Sequence, residues 1–294
     1  MGVFEDNIKP ILKRRDILIR LIVINICVFL FLVAINITKL FEVNITDTVL
    51  RHVATTARLD RLINYFWTPF TYMFVHVDFL HILFNMLILY WFGQIFLSYF
   101  SSKNLGSLYI FGGLAGALLY ILTFNTIPMF VNMNDGLMWG ASASVMAIVF
   151  AAAFYRPNQE VTLLIFGRIK IIYIALILFV LDFIGISSQV NAGGHVAHIG
   201  GAAVGYLFAK QYMRGRDITV WLNRLIDSIV NFFKPRPKSK MKVKYKNRET
   251  DYDYNKRRNT ENEEIDRILD KIKASGYTSL TAEEKKRLFD ASNK

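Results

Sequence analysis

The sequence predicts an all-α membrane protein: a bundle of six transmembrane helices, then a cytoplasmic amphipathic helix and a small helical tail. Three observations predict it. The 294 residues are 53% hydrophobic, with a mean hydropathy of +0.32 and 24 phenylalanines. That is too apolar for an ordinary soluble domain of this length. Six apolar stretches stand at about 17–37, 74–98, 105–125, 137–155, 171–189 and 193–209, each near the roughly 20 residues that cross a bilayer as a helix. Lys and Arg fall in alternate short loops, as the positive-inside rule requires of a multi-pass chain.

Taken in order, residues 1–15 form a short cytoplasmic amino end with Lys9, Lys13, Arg14 and Arg15 ahead of the first span. Arg20 lies near the cytoplasmic end of that span, where its long side chain reaches the headgroups. No small-residue cleavage site follows, so the stretch reads as a transmembrane helix rather than a signal peptide. An extended, mixed loop is expected from Thr38 to Tyr72. Lys103 follows the second span; Arg156, Arg168 and Lys170 lie between the fourth and fifth; Lys210, Arg214 and Arg216 follow the sixth. The loops Thr126–Gly136 and Val190–Ala192 carry no Lys or Arg. Both termini are therefore expected in the cytoplasm, and the natural membrane is the bacterial plasma membrane. The +12 charge is concentrated in these loops and beyond Phe233. It suits anionic lipid rather than nucleic acid. The single cysteine, Cys27, makes no intrachain disulfide and leaves the redox compartment unread.

The membrane domain is expected over 16–212. An amphipathic helix at the membrane surface follows over 213–233. Its apolar side carries Ile218, Trp221, Leu222, Leu225, Ile226 and Ile229, and its other side Asn223, Arg224, Asp227 and Asn231. Residues 234–260 read as a basic flexible linker with two prolines and no apolar periodicity. Residues 261–294 read as a small helical hairpin. Ile265, Ile268, Leu269 and Ile272 form its stripe, Gly276 stops the first helix, and Thr281-Ala282-Glu283-Glu284 is a capping box for the second. Its core is too small to stand alone, so it is expected to dock on an unidentified partner.

Polar residues inside apolar spans are costly and mark function by default. Counted from the expected outer ends, Ser142 and His198 lie about five residues into the fourth and sixth spans, roughly 8 Å deep. His81 lies about 10 Å deep on the second span, with Asn85 one turn below on the same face. Serine becomes a nucleophile when a base takes its proton, and histidine has the pKa for that task. A developing oxyanion needs donors in place. The Ser142 amide at a helix N-terminus and the side chains of His81 and Asn85 supply candidates. Gly201 and Gly205 form a GxxxG ridge below His198, facing Gly140, Ala141 and Ala143.

Trp67-Thr68-Pro69-Phe70-Thr71-Tyr72-Met73-Phe74-Val75-His76, His81-Ile82-Leu83-Phe84-Asn85-Met86, Gly140-Ala141-Ser142 and Ala197-His198-Ile199-Gly200-Gly201 together resemble the signatures of the rhomboid intramembrane serine proteases. The resemblance covers about residues 16–212. It implies a Ser142–His198 dyad with no third acid, an oxyanion hole of His81, Asn85 and the Ser142 amide, and a structural role for His76. It implies no cofactor and no metal. The implied substrates are transmembrane helices of other membrane proteins, cut near the extracytoplasmic side. Two departures stand beside the site: Ala143 replaces the family's glycine after the serine, and Met146 replaces an aromatic that stacks on the histidine.

Other readings of the same residues are available. Ser144 is a second serine, but it faces away from Ser142. His195 lies one turn above His198, at the water entrance or as a helix cap. Asp182, within the fifth span, reads as a hydrogen-bonded packing residue in preference to a third catalytic member. A metal protein is a different class, in which His76, His81, His195 and His198 approach one ion. A relative that binds membrane clients without cutting them is the remaining alternative.

Overall fold

A computed structural model describes residues 17–38, 45–133, 136–163, 167–187, 191–233 and 251–292. The expected basic amino end and most of the basic linker lie outside those residues. The chain separates into two compact units, Met1–Lys234 and Pro235–Lys294.

The first unit is built around the shortest of its apolar helices that cross its core. Helix α1 (Ile17–Asn36) leads into three short helices, α2 (Ile45–Val53), α3 (Leu59–Asn64) and α4 (Thr68–Thr71). Then come α5 (Phe79–Leu97), α6 (Ser102–Thr126), the single turn α7 (Pro128–Val131), α8 (Ser142–Tyr155), α9 (Ile171–Ser187), α10 (Ala192–Met213) and α11 (Val220–Phe233). Residues Ala143–Ala153 of α8 are all buried. Helices α5, α6, α9 and α10 pack around it, and α1 packs on α5 and α6. A helix apolar on every side is a core helix, and the sequence of α8 is apolar and Ala-rich for that reason.

The outer helices instead turn large apolar side chains outward, such as Leu30 and Phe31 on α1, Trp91 on α5 and Val180 and Phe183 on α9. In water these would form an apolar patch far beyond that of a soluble monomer. Among the described residues, α1, α5 and α6 are each long and apolar enough to cross a membrane. The chain is an integral membrane protein.

Glycine sets how closely the central helices approach. A Cβ built on Gly201 would stand 2.0 Å from the carbonyl oxygen of Ala143, and one on Gly205 2.2 Å from that of Ala147. On α6, a Cβ at Gly112 would stand 2.5 Å from the Ala147 Cβ, and one at Gly116 2.6 Å from the Ala143 Cβ. The GxxxG ridge expected on α10 thus lies against the α8 backbone. The extra methyl of Ala143 is received by Gly116 on the opposite side.

Several expectations are corrected. The loop expected to be extended between Thr38 and Tyr72 contains α2, α3 and α4. It is tied down by side chains that satisfy its carbonyls: Trp67 Nε1 donates to His52 O (2.8 Å) and Thr71 Oγ1 to Val53 O (2.7 Å). The second span begins as a helix at Phe79, not at 74, because Tyr72–Phe74 is a 3₁₀ turn and Val75 is extended. The fourth begins at Ser142, not at 137. There Leu137–Met138 (β2) pairs antiparallel with Thr55–Thr56 (β1). A second two-stranded pair, β3 (Glu160–Leu163) with β4 (Gly167–Lys170), joins α8 to α9, so the all-α unit carries two small ladders.

Part of the polar side of α11 meets α6. Ser107 Oγ lies 2.7 Å from Asn223 Oδ1, and Lys103 donates to Asp227 (2.6 Å). Asn104 Nδ2 donates to Asp217 (2.7 Å) and to Thr219 (3.1 Å). The apolar side contributes buried Leu222, while Trp221 lies against the Phe111 ring (centroids 5.2 Å apart).

In the second unit the first helix, α12 (Asp251–Ser275), opens well before the expected Glu261 and takes up the end of the linker. Gly276, at φ +74°, follows it, and Ile268 is buried. Helix α13 (Ala282–Ser292) carries the capping box: Glu284 Oε2 accepts from the Thr281 N–H (2.8 Å), and Thr281 Oγ1 from the Glu284 N–H (3.3 Å). Lys271 donates to Glu284 (2.9 Å) and, with the Thr281 amide, holds its carboxyl below the usual carboxylate range.

Candidate active site

The site is made by the late start of α8. Fourteen residues span only about 21 Å of helix, less than the roughly 30 Å hydrocarbon core. Before it runs the non-helical segment Leu137–Ala141, with Leu137 and Met138 in the ladder with β1, Gly140 at φ +124° and Ala141 already at helical backbone angles. Non-helical backbone in an apolar unit needs partners for its polar groups, and here the protein supplies them. The ladder with β1 satisfies Leu137 and Met138, Gly140 N–H donates to Tyr72 O (3.0 Å), and Ala141 N–H donates to His76 Nε2 (3.3 Å). His76 is fully buried, which makes it a bracket for this segment. Ser142 therefore opens the helix rather than sitting five residues inside it, and its amide belongs to the first turn, where N–H groups have no intrahelical partner.

Ser142 lines a cavity of about 390 Å³ together with His81, Asn85, Met146, Asp182 and His198. Its walls are apolar: Leu80, Phe84 and Ile88 come from α5, and Leu178 and Leu181 from α9. His81 is in the first turn of α5, its ring 5.1 Å from that of His76. Asn85, one turn on, is buried, and its Nδ2 donates to His81 O (2.9 Å). Gly140 has φ +124°, and a Cβ there would fall 2.8 and 2.9 Å from His81 Cε1 and Nε2, and 3.7 Å from Ser142 Oγ. The glycine thus lets the His81 ring lie over the backbone beside the serine. His198, in the second turn of α10, lines the same cavity. Among the described residues no hydrogen bond joins it to Ser142 Oγ; catalytic hydrogen bonds are often loose before substrate binds.

The cavity thus collects Ser142, His198, His81, Asn85 and Met146. Gly140 borders it, whereas Gly201 and Gly205 lie below as packing surface. Ser144 is fully buried with its Oγ 3.9 Å from Met73 Sδ, away from the cavity. The four histidines do not converge. His76 and His81 pair at α5, while His195 and His198 meet over Asp182, the three offering ligand atoms within 4.8 Å of one another.

Asp182, read from the sequence as a hydrogen-bonded packing residue, has its partners at the site. Asp182 Oδ1 lies 2.7 Å from His198 Nδ1 and 2.9 Å from His195 Nδ1. The signal was an acid in a span with no other charge, but which histidine it reaches depends on how α9 packs against α10.

This is a helical integral membrane protein with a serine- and histidine-bearing cavity let into its apolar core. The family model of the Rhomboid domain matches residues 64–215, just over half of the chain, and the chain belongs to the rhomboid family. Residues 248–294 match a second model, a family of unknown function (DUF6576). The chain is 27% identical over 214 residues to RHOMBOID-like protein 12, mitochondrial, of Arabidopsis thaliana; the match covers 70% of this chain and 61% of that protein. Family membership leaves two classes of function: an intramembrane protease, or an inactive relative with the same frame.

Proposed function

We propose that the protein is an intramembrane serine endopeptidase that cuts transmembrane helices of other membrane proteins. The observation that supports this reading most is the single cavity lined by Ser142, His198, His81 and Asn85. Ser142 Oγ attacks the scissile carbonyl while His198 takes its proton. The oxyanion of the tetrahedral intermediate accepts from the Ser142 amide and from the side chains of His81 and Asn85. Collapse breaks the C–N bond, and His198 returns the proton to the leaving amine. Water, activated by the same histidine, then hydrolyses the acyl-enzyme. The apolar walls suit a substrate arriving from lipid, and the recessed serine keeps water, the second substrate, within reach.

The test is cleavage of a tagged single-span substrate by purified protein, beside Ser142→Ala and His198→Ala. Wild type should cut, both variants should fall to background, and a chelator should change nothing. Cleavage that survives in Ser142→Ala would sink the assignment. A wild type that cuts no substrate would support the inactive relative.

We further propose six spans, α1, α5, α6, α8, α9 and α10, with both chain ends on the cytoplasmic side of a plasma membrane of bacterial type. The distribution of Lys and Arg supports this orientation. In a Cys27→Ser background expressed in bacterial cells, a membrane-impermeant thiol reagent added outside should label Asn132→Cys and leave Arg214→Cys unlabelled. The reverse pattern would invert the topology.

A further inference from the structure

The reaction as written uses His198 as a base and asks nothing of the carboxylate touching its other nitrogen. We propose that Asp182 is the positioning residue of this site: by accepting from Nδ1 it fixes the His198 tautomer whose Nε2 is the free base. The proposal rests on the Ser142–His198 reading.

Neutral imidazole carries one proton, and the nitrogen that holds it is set by the partner of each. An ionised carboxylate only accepts. The proposal takes Asp182 in that form; with its Oδ1 at 2.7 Å from His198 Nδ1 and 2.9 Å from His195 Nδ1, both Nδ1 atoms then donate. His198 Nε2 is then left without a proton, as a base toward serine requires. A carboxylate oriented on the base in this way is what completes soluble Ser-His-Asp sites.

Helix α9 is shaped for this contact. Asp182 is 8% exposed, so its charge is sheltered and depends on the two donors. Three residues further along α9, Gly185 leaves the space that the His195 ring fills; a Cβ there would stand 2.5 Å from His195 Nε2. His195 is therefore wedged between Asp182 and Gly185 and steadies the carboxylate as its second partner. A packing role alone would need neither an acid in an apolar span nor two imidazoles sharing one of its oxygens.

The experiment has two arms, both on the full chain in chelator. In the first, Asp182→Asn and Asp182→Ala are compared with wild type in the cleavage assay. The expected result is a fall in kcat of about 10²-fold or more, with KM changed less than about threefold, since the tautomer matters in the transition state and not for binding. In the second, the chain is labelled with ¹⁵N-histidine in a Ser142→Ala background, and the signal of His198 is identified by its loss in His198→Ala. Its shifts should report a proton on Nδ1, and the proton should move to Nε2 when Asp182→Asn or Asp182→Ala is added. A kcat within threefold of wild type in both variants, or an unchanged His198 tautomer, would overturn the proposal. Should wild type cut nothing, the protease reading fails, while the tautomer measurement still decides the role of Asp182.

Discussion

Gly201→Ala should deprive the membrane unit of its fold, and cleavage should fall to background with it. By helix propensity alone the substitution is favourable, alanine being better than glycine by about 1 kcal/mol in a helix interior. Packing reverses the sign. The new Cβ would stand 2.0 Å from the Ala143 carbonyl oxygen and 2.8 Å from its carbonyl carbon. Both are backbone atoms of the central helix and cannot rotate away. Helices α8 and α10 would have to separate, and α8 also packs against α5, α6 and α9 through buried side chains. Overpacking of this kind costs about 1–3 kcal/mol where neighbours yield, and more where they do not.

The measurement is the thermal unfolding midpoint and monodispersity of the purified variant in detergent, beside Gly205→Ala and Gly106→Ala. Gly205→Ala should behave like Gly201→Ala, since its Cβ would meet the Ala147 carbonyl oxygen at 2.2 Å. Gly106→Ala should be nearly neutral, because its Cβ would meet only the Ile17 side chain, at 3.0 Å. A Gly201→Ala protein as stable as Gly106→Ala would mean that the α8–α10 contact is looser than described.

The same contacts explain how much could be read beforehand. The apolar stretches and the glycine ridge are statements about one helix at a time, and periodicity carries them. The residues that gather at the cavity, Ser142, His198, His81 and Asn85, were recognisable as polar groups on apolar stretches. What escaped was set between elements. Leu137–Ala141 is as apolar as a helix, and only its pairing with Thr55–Thr56, Tyr72 and His76 holds it outside one. Asp251–Thr260 is polar throughout, so no stripe announces that it is helical. Asp182 was visible as an oddity, but its partner depended on the packing of two helices.

Gly140→Ala should damage the reaction far more than the fold. Its φ of +124° lies where a side chain costs roughly 1–3 kcal/mol. Unlike Gly201, it stands on the non-helical segment ahead of α8, and what it meets is a side chain that lines the cavity. The Cβ would fall 2.8 and 2.9 Å from His81 Cε1 and Nε2, so the imidazole must swing away from the serine. If His81 donates to the oxyanion, that movement removes one prepared donor. Such a loss lowers kcat by about 10²–10³-fold. The expected result is therefore a kcat reduced about 10²-fold or more, KM little changed, and a modestly lower unfolding midpoint. His81→Ala should lose a similar factor, and the double variant should lose little beyond either alone, because both remove the same hydrogen bond. Additive losses would assign Gly140 an effect of its own, through the path of the backbone into Ser142. A Gly140→Ala enzyme as fast as wild type would remove His81 from the oxyanion hole and leave the Ser142 amide and Asn85 to hold the charge.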